Sequence, residues 1–340
     1  MKNKIKNESR TSTVWYELPK SKITPLQAFL LENYKGAFIR KHPKISDTDE
    51  VRLINSYSPK LCPFCSSTSF VKDGFTRNGV QRYRCKHCKK GFNILTGTLL
   101  ENHKIPITEF IEYALMLVNF SSINLVARTN KNGFTTSKYW LEKIFIVLKD
   151  YQKDIILSGE VFLDETFYSV EKKDLIMEDG KKKRGLSKNQ ICVGMATDRK
   201  QAYGVVVGYG KQSGKSILDA YVKHIDLNSI LIHDMDQTHN ELIRHQELID
   251  NPYKSTYLRN LRDKDNPLFP INRIHNLFKI FLSTHIGFDR DSFADYLNLF
   301  IFIMNEPHDK LEKVEILFKK LIFTHKTLKY RDFYSKKDEN

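Results

Sequence analysis

No stretch of this sequence is apolar for the ~18 residues that a membrane-crossing helix requires, and Met1 to Lys20 is polar, without a signal-peptide core. Acidic residues are also in short supply. There are 40 of them against 55 Lys and Arg, a formal net charge of +15. Such a surplus favours a polyanionic partner, nucleic acid first and an anionic membrane surface second; without a spanning segment, a cytoplasmic location is expected. Cysteines number only five: Cys62, Cys65, Cys85, Cys88 and Cys192. Four fall in two close pairs, which in a reducing compartment read as metal ligands rather than disulfides. Cys192, inside the apolar run Ile191 to Ala196, reads as an ordinary buried cysteine. There is no internal repeat, and no low-complexity stretch beyond one lysine run.

What is present suffices for a folded protein. Hydrophobic residues make up 41% of 340, enough for real cores, and the length suits two domains with a small appendage. Residues 1–57 read as a tail with short helices, at Pro25 to Tyr34 and Asp47 to Asn55. Residues 58–95 are rich in cysteine, glycine, aromatics and lysine but poor in aliphatics, so they need something other than a core to hold them. Residues 96–155 show the 3.6-residue period: Ile107, Phe110, Ile111, Ala114, Leu115 and Val118 form one stripe. A short helix over Ile123 to Arg128 follows Ser121 and Ser122 as candidate caps. A third opens at Thr135 and Thr136, past the break at Asn132-Gly133. Three helices with short connections fit a helix-turn-helix unit or a plain helical packing domain.

From residue 156 to 325 the pattern is mixed α/β. Val161 to Tyr168, Gln190 to Thr197, Ala202 to Tyr209 and Ile230 to His233 read as strands, the middle two as a hairpin. Helices are expected at Ser213 to His224, Thr238 to Ile249, Ile271 to Leu282, Asp291 to Met304 and Lys310 to Phe323. Residues 326–340 form a C-terminal tail. The order of elements implies a mixed sheet with flanking helices.

Two features carry chemistry. Cys62-Pro-Phe-Cys65 and Cys85-Lys-His-Cys88 are C-x2-C pairs with 19 residues between them. That is zinc-ribbon spacing, each knuckle giving two thiolates to a tetrahedral Zn²⁺. Phe70-Val71 and Arg82-Tyr83-Arg84 read as the ribbon's strands. Arg82 and Arg84 belong to a basic surface suited to phosphate. The second feature is a pair of carboxylates closing β-runs, Asp164 after Val161-Phe-Leu and Asp234 after Ile230-Leu-Ile-His. Burying a charge there is costly unless it is paired or binds metal. In a basic protein, two such residues suggest a shared Mg²⁺ or Mn²⁺ site for phosphoryl transfer. Glu165 points to the opposite strand face from Asp164, and Asp236 suits a helix cap; both rank behind the chosen pair.

Together, the cysteine quartet, the helical segment, Leu163-Asp164-Glu165-Thr166, Lys182-Lys183-Arg184-Gly185, His233-Asp234 with His239-Asn240, and Asn272-Arg-Ile-His275-Asn276-Leu-Phe-Lys279 resemble bacterial insertion-sequence transposases. The resemblance spans roughly residues 58 to 305. It implies a zinc ribbon and DNA-binding helices before a ribonuclease-H-like domain with a carboxylate triad. It further implies metal-dependent cleavage and strand transfer of transposon ends, recognition of terminal inverted repeats, homo-oligomers on DNA, and a nucleoid-associated bacterial enzyme. Lys182, Lys183, Arg184 and Lys279 would contact DNA phosphates. The third acidic position is held by His275. Asn272, His275, Asn276 and Lys279 share a helix face, and imidazole makes Mn²⁺ more suitable beside Mg²⁺. Two readings follow: a working enzyme with a variant third ligand (His275, or else Asn276 or Asp236), or a decayed copy that binds DNA as a regulator.

Overall fold

A computed structural model describes residues 49–103, 107–171, 175–178, 180–183, 185–285, 288 and 290–335. The expected helix at Pro25 to Tyr34 lies outside the described residues. The chain divides into two compact units. One runs to Lys143 and resumes at Phe318; the other is Ile144–Leu317.

The described part of the first unit begins with α1 (Asp49–Ser56). A three-stranded antiparallel sheet follows: β1 (Phe70–Phe75), β2 (Gln81–Cys85) and β3 (Gly91–Asn93). The sequence pattern announces only the first two strands. The core of this sheet is as small as the composition requires, Tyr83 and Phe92 stacked with Phe70 edge-on, packed against the cysteines. Asn55 of α1 holds the β1–β2 turn, donating to the Gly79 carbonyl at 3.0 Å and accepting from the Gln81 N–H at 2.9 Å.

Three helices complete this stretch: α2 (Ile107–Val118), α3 (Ile123–Thr129) and α4 (Phe134–Leu148), the last leading into the second unit. Ser122 caps α3, its hydroxyl accepting from the Leu125 N–H at 3.1 Å. The stripe of α2 is rotated from the expected one. Tyr113 and Leu117 are fully buried, while Ile111 and Leu115 are half-buried. Tyr113 is drawn inward by its hydroxyl, which donates to the Ser137 carbonyl at 2.9 Å.

The second unit is mixed α/β. Its strands are β4 (Glu160–Ser169), a two-residue ribbon of β5 (Met177–Glu178) and β6 (Lys181–Lys182), β7 (Gln190–Thr197), β8 (Ala202–Tyr209), β9 (Ile230–His233) and β10 (Ile249–Pro252). Five form one sheet in the order β10-β9-β4-β7-β8. The β4–β7 and β7–β8 pairs are antiparallel, whereas β9 runs parallel to both β4 and β10. The helices are α5 (Gly214–Tyr221), α6 (Asn240–His245), α7 (Ser255–Leu258), α8 (Phe269–Thr284), α9 (Phe293–Met304) and α10 (Lys310–Phe323), which returns the chain to the first unit, where α11 (Tyr330–Ser335) follows.

Both sheet faces are covered, so β7 is an almost unbroken apolar run. On one face Gly204 meets Leu297 and Ile301 of α9; on the other Gly194 meets Tyr221 of α5. A Cβ at Gly194 would sit 2.2 Å from the Tyr221 hydroxyl, so only glycine fits there.

One expectation fails. Thr238 to Ile249 is not a single helix: a 3₁₀ turn at Gln237–His239 leads into α6, which ends before Glu247 at φ 51°, and Ile249 already belongs to β10. β10 is an exposed parallel edge strand, Ile-Asp-Asn-Pro, without apolar alternation.

Candidate functional site

The four cysteines converge in the first unit. Cys62 Sγ lies 3.7 Å from Cys88 Sγ, and Cys65 Sγ lies 3.6 Å from Cys85 Sγ. All four sulfurs are within 4.8 Å of one another. Four thiolates ~2.3 Å from a tetrahedral zinc would have edges of about 3.8 Å, so the cage has the dimensions of a zinc site. Hydrogen bonds, chiefly from the Cys88 backbone N–H, lower the Cys85 thiol to about 6, whereas Cys65 is raised to about 11, its Ser67 backbone hydrogen bond being outweighed by burial and the neighbouring thiols. Arg82 and Arg84 both point from β2 toward Asp73, at 3.7 and 3.0 Å.

In the second unit, β4 and β9 bring the two aspartates together. Phe162 is level with Ile232 across the parallel pair. Extending that register by two residues brings Asp164 level with Asp234, just past the end of β9, where the Asp234 carboxylate also comes within 4.8 Å of His233 and His239. Neighbouring strands lie ~4.8 Å apart. From the helix above, His275 Nδ1 lies 3.5 Å from Asp164 Oδ2. His275 is buried with Ile271, Ile274, Phe278, Phe281 and Leu282, whereas Asn276 and Lys279 are exposed. It thus belongs to the core stripe of α8, not to the polar face expected for it. Its Nε2 is buried without a hydrogen-bond partner among the described residues.

Burial and like charges dominate the electrostatics of this corner. Burial, and then the charges of Glu165 and Asp234, raise the Asp164 carboxyl to about 7. Burial and nearby Lys279 push His275 down to about 4, leaving its imidazole neutral. Asp236, the alternative carboxylate, caps the 3₁₀ turn by accepting from the Thr238 N–H at 2.9 Å.

Directly behind, on the opposite sheet face, lies a network the sequence did not reveal. His239 Nε2 meets both Glu165 carboxylate oxygens at 3.1 and 3.2 Å. His239 Nδ1 meets His233 Nδ1 at 2.8 Å, and His233 Nε2 meets Asp250 Oδ1 at 2.9 Å. Burial lowers His233 despite its bond to Asp250. For His239, burial alone would do the same, but the hydrogen bond and charge of Glu165 outweigh it and raise its pKa.

The expected phosphate contacts are dispersed. Lys183 and Lys279 are exposed; Lys182 sits in the β5–β6 ribbon, and Arg184 lies outside the described residues. A cleft of about 710 Å³ at the start of α8 carries Arg199, Lys200, Lys264, Arg273 and His308. Its one acid, Asp265, is paired with Arg262 at 2.8 Å. No helix among the described residues is long and apolar enough to cross a membrane.

No protein-family model matches the chain, and no curated protein matches it. Among solved structures it is similar to the Mos1 strand transfer complex, at 12% identity and a TM-score of 0.29, over 67% of this chain and 82% of that one. It is similar to the mariner Mos1 paired end complex with Mg at 12% identity and 0.27, over 67% and 83%. A third likeness is to the Mos1 transposase catalytic domain with Raltegravir and Mg, at 13% identity and 0.26, over 56% and 94%.

Proposed function

We propose that this chain is a metal-dependent DNA strand-cleaving and strand-joining enzyme of the transposase type. The observation that carries the reading is Asp164 on β4 beside Asp234, which follows the end of the adjacent parallel strand β9, with the neutral imidazole of His275 against Asp164. The sheet order, an antiparallel three-strand meander continued by two parallel strands, supports the ribonuclease-H-like reading of residues 156–325. The ligand cluster fits a divalent ion: two carboxylates whose mutual repulsion a cation relieves, and a ring whose second nitrogen has no protein partner among the described residues. Asp164 joins no set of three ligands within 4.8 Å among the described residues, so its side chain would have to turn toward Asp234 to share an ion. Asp164, Asp234 and His275 would hold Mg²⁺ or Mn²⁺, which when bound would supply Lewis-acid activation for phosphoryl transfer.

The protein's own groups do the rest. Asp164 and Asp234 would be the carboxylate ligands of the divalent ion. His275 contributes a neutral nitrogen, which suits Mn²⁺ better than Mg²⁺. Lys279, exposed one helical turn beyond His275, neutralises a neighbouring phosphate, as does the lysine run near Gly185. The cysteine quartet holds one structural Zn²⁺ in a ribbon over residues 58–95. That ribbon and the helices of residues 96–155, as a helix-turn-helix, bind terminal inverted repeats. Two ends must meet, so the active form is a homo-oligomer on double-stranded DNA.

The test is a strand-transfer assay using duplexes copied from the DNA flanking the gene, in Mg²⁺ and in Mn²⁺. Joined products that disappear in Asp164→Ala and Asp234→Ala are expected. His275 in the third acidic position favours a second reading, a transposase-derived DNA-binding regulator; specific end binding with no cleavage in either metal would establish it instead.

A further inference from the structure

The network behind the aspartates poses a problem of proton count. Each Nε2, in His233 and in His239, faces a carboxylate, Asp250 and Glu165 respectively. An ionised carboxylate only accepts, so both Nε2 atoms carry hydrogen. A neutral imidazole has one N–H, which leaves both Nδ1 atoms as bare lone pairs. Those two atoms face each other across 2.8 Å. Their contact requires either a proton shared between the rings or a cation bound beside them.

We propose that a divalent transition-metal ion binds beside this contact, held by Nδ1 of His233, Nδ1 of His239 and the carboxylate of Asp234; at ~2.0–2.1 Å from each nitrogen it would sit off the 2.8 Å line between them, on the side of Asp234, and would replace the shared proton. The three ligand atoms already lie within 4.8 Å of one another. Both rings donate their outer N–H to a carboxylate, the arrangement that fixes the tautomer and orientation of metal-binding histidines. Two imidazole nitrogens and one carboxylate are a donor set for Mn²⁺, Co²⁺, Ni²⁺ or Zn²⁺ rather than Mg²⁺. Charge balance agrees, since Glu165, Asp234 and Asp250 bring three negative charges to two neutral rings. His239 is fully buried and His233 nearly so, while Asp234 is half-exposed, which gives an ion one open side for entry. Tyr221, also fully buried, has its hydroxyl against Gly194, the residue in register with Glu165, and that hydroxyl has no partner among the described residues.

The inference does not rest on the strand-joining reading, although Asp234 belongs to both ligand sets. It is tested on the full-length, zinc-loaded protein carrying Asp164→Asn, which disables the site on the other face. Co²⁺ is titrated in, followed by visible absorption and proton NMR. One further equivalent is expected, with d–d bands lacking thiolate charge transfer and with two exchangeable, paramagnetically shifted imidazole N–H signals from the Nε2 hydrogens. His239→Ala and His233→Ala should each weaken Co²⁺ binding at least a hundredfold. Glu165→Gln should weaken it about 10- to 100-fold, as for other outer-shell partners; retained ribbon zinc serves as the check on folding. Co²⁺ that binds only with thiolate charge transfer, or binding that survives both histidine substitutions, overturns the proposal. So does a ¹⁵N spectrum in which an N–H–N proton shared by the two rings is unchanged by Co²⁺. Absence of strand transfer by the protein with Asp164 intact, with the cobalt signal present, would count against the enzyme reading alone.

Discussion

Replacing Asp164 with Asn should make the protein more stable while abolishing its chemistry. The Asp164 carboxyl titrates at about 7 against an ordinary 3.8. At ~1.36 kcal/mol per pH unit, its ionised form is about 4 kcal/mol costlier in the folded chain than in the unfolded one. A quarter of the side chain is exposed, so about 2–4 kcal/mol is the working range. The sign follows from linkage. Between 3.8 and about 7 the folded state holds a proton that the unfolded state has released, so stability falls as pH rises through that window, and the fall is complete above it. At pH 8, Asp164→Asn should therefore raise the melting temperature of the second unit by about 5–10 °C. The gain should shrink below pH 7 and vanish near pH 4. Millimolar Mn²⁺ should stabilise the wild type and leave Asp164→Asn much less affected; below pH 7 the wild type's Mn²⁺ affinity should rise nearly tenfold per pH unit, because the ligand must lose a proton. Differential scanning calorimetry at pH 4, 6 and 8, with and without Mn²⁺, reads all of this. Equal melting temperatures at pH 8, or a destabilised variant, would refute the claim that burial and like charges strain this carboxylate.

Protein purified without added metal should contain one zinc per chain by elemental analysis, and Cys85→Ser should lose it and unfold residues 58–95, seen as loss of dispersed amide signals. His275→Ala should reduce strand transfer at least a hundredfold, while His275→Glu should shift the metal preference toward Mg²⁺; unchanged activity in His275→Ala would move the third ligand to Asn276 or Asp236. Asp164→Ala and Asp234→Ala should bind end DNA within about twofold of wild type with a steep salt dependence, measured by fluorescence anisotropy. Lys264→Glu with Arg273→Glu should lower that affinity at least tenfold and flatten the salt slope by about 2, near 0.9 for each phosphate no longer neutralised; an unchanged slope would clear the cleft of any role in holding DNA.

Local signals in the sequence anticipated local structure. The strands at Gln190–Thr197 and Ala202–Tyr209 match the expected limits, because both are long apolar runs around a polar turn. The face of His275 is easily misjudged from its polar neighbours. Its spacing from Ile271, Ile274, Phe278 and Leu282 already puts it on the buried stripe. The rear network was hidden for a different reason. Its contacts join residues 74, 17 and 6 positions apart, and one partner, Asp250, sits in a strand whose stability comes from backbone pairing with β9 rather than from side-chain pattern. Glu165 looked secondary because it faces away from Asp164, and that same alternation is what delivers it to His239.

The return of the chain to its first unit has a consequence for synthesis. Tyr57 packs against Phe318 and Phe323, Tyr139 packs against Tyr330, and the Tyr139 hydroxyl donates to the Leu328 carbonyl. The first unit therefore lacks part of its own core until the ribosome has passed residue 330. At ~5–20 residues per second, the stretch between Lys143 and Phe318 takes roughly 10–35 s to make. During that interval the second unit, contiguous from Ile144 to Leu317, is free to fold while the first waits with Tyr57 and Tyr139 uncovered. On a nascent chain, the later-made unit would become protease-resistant before the earlier one.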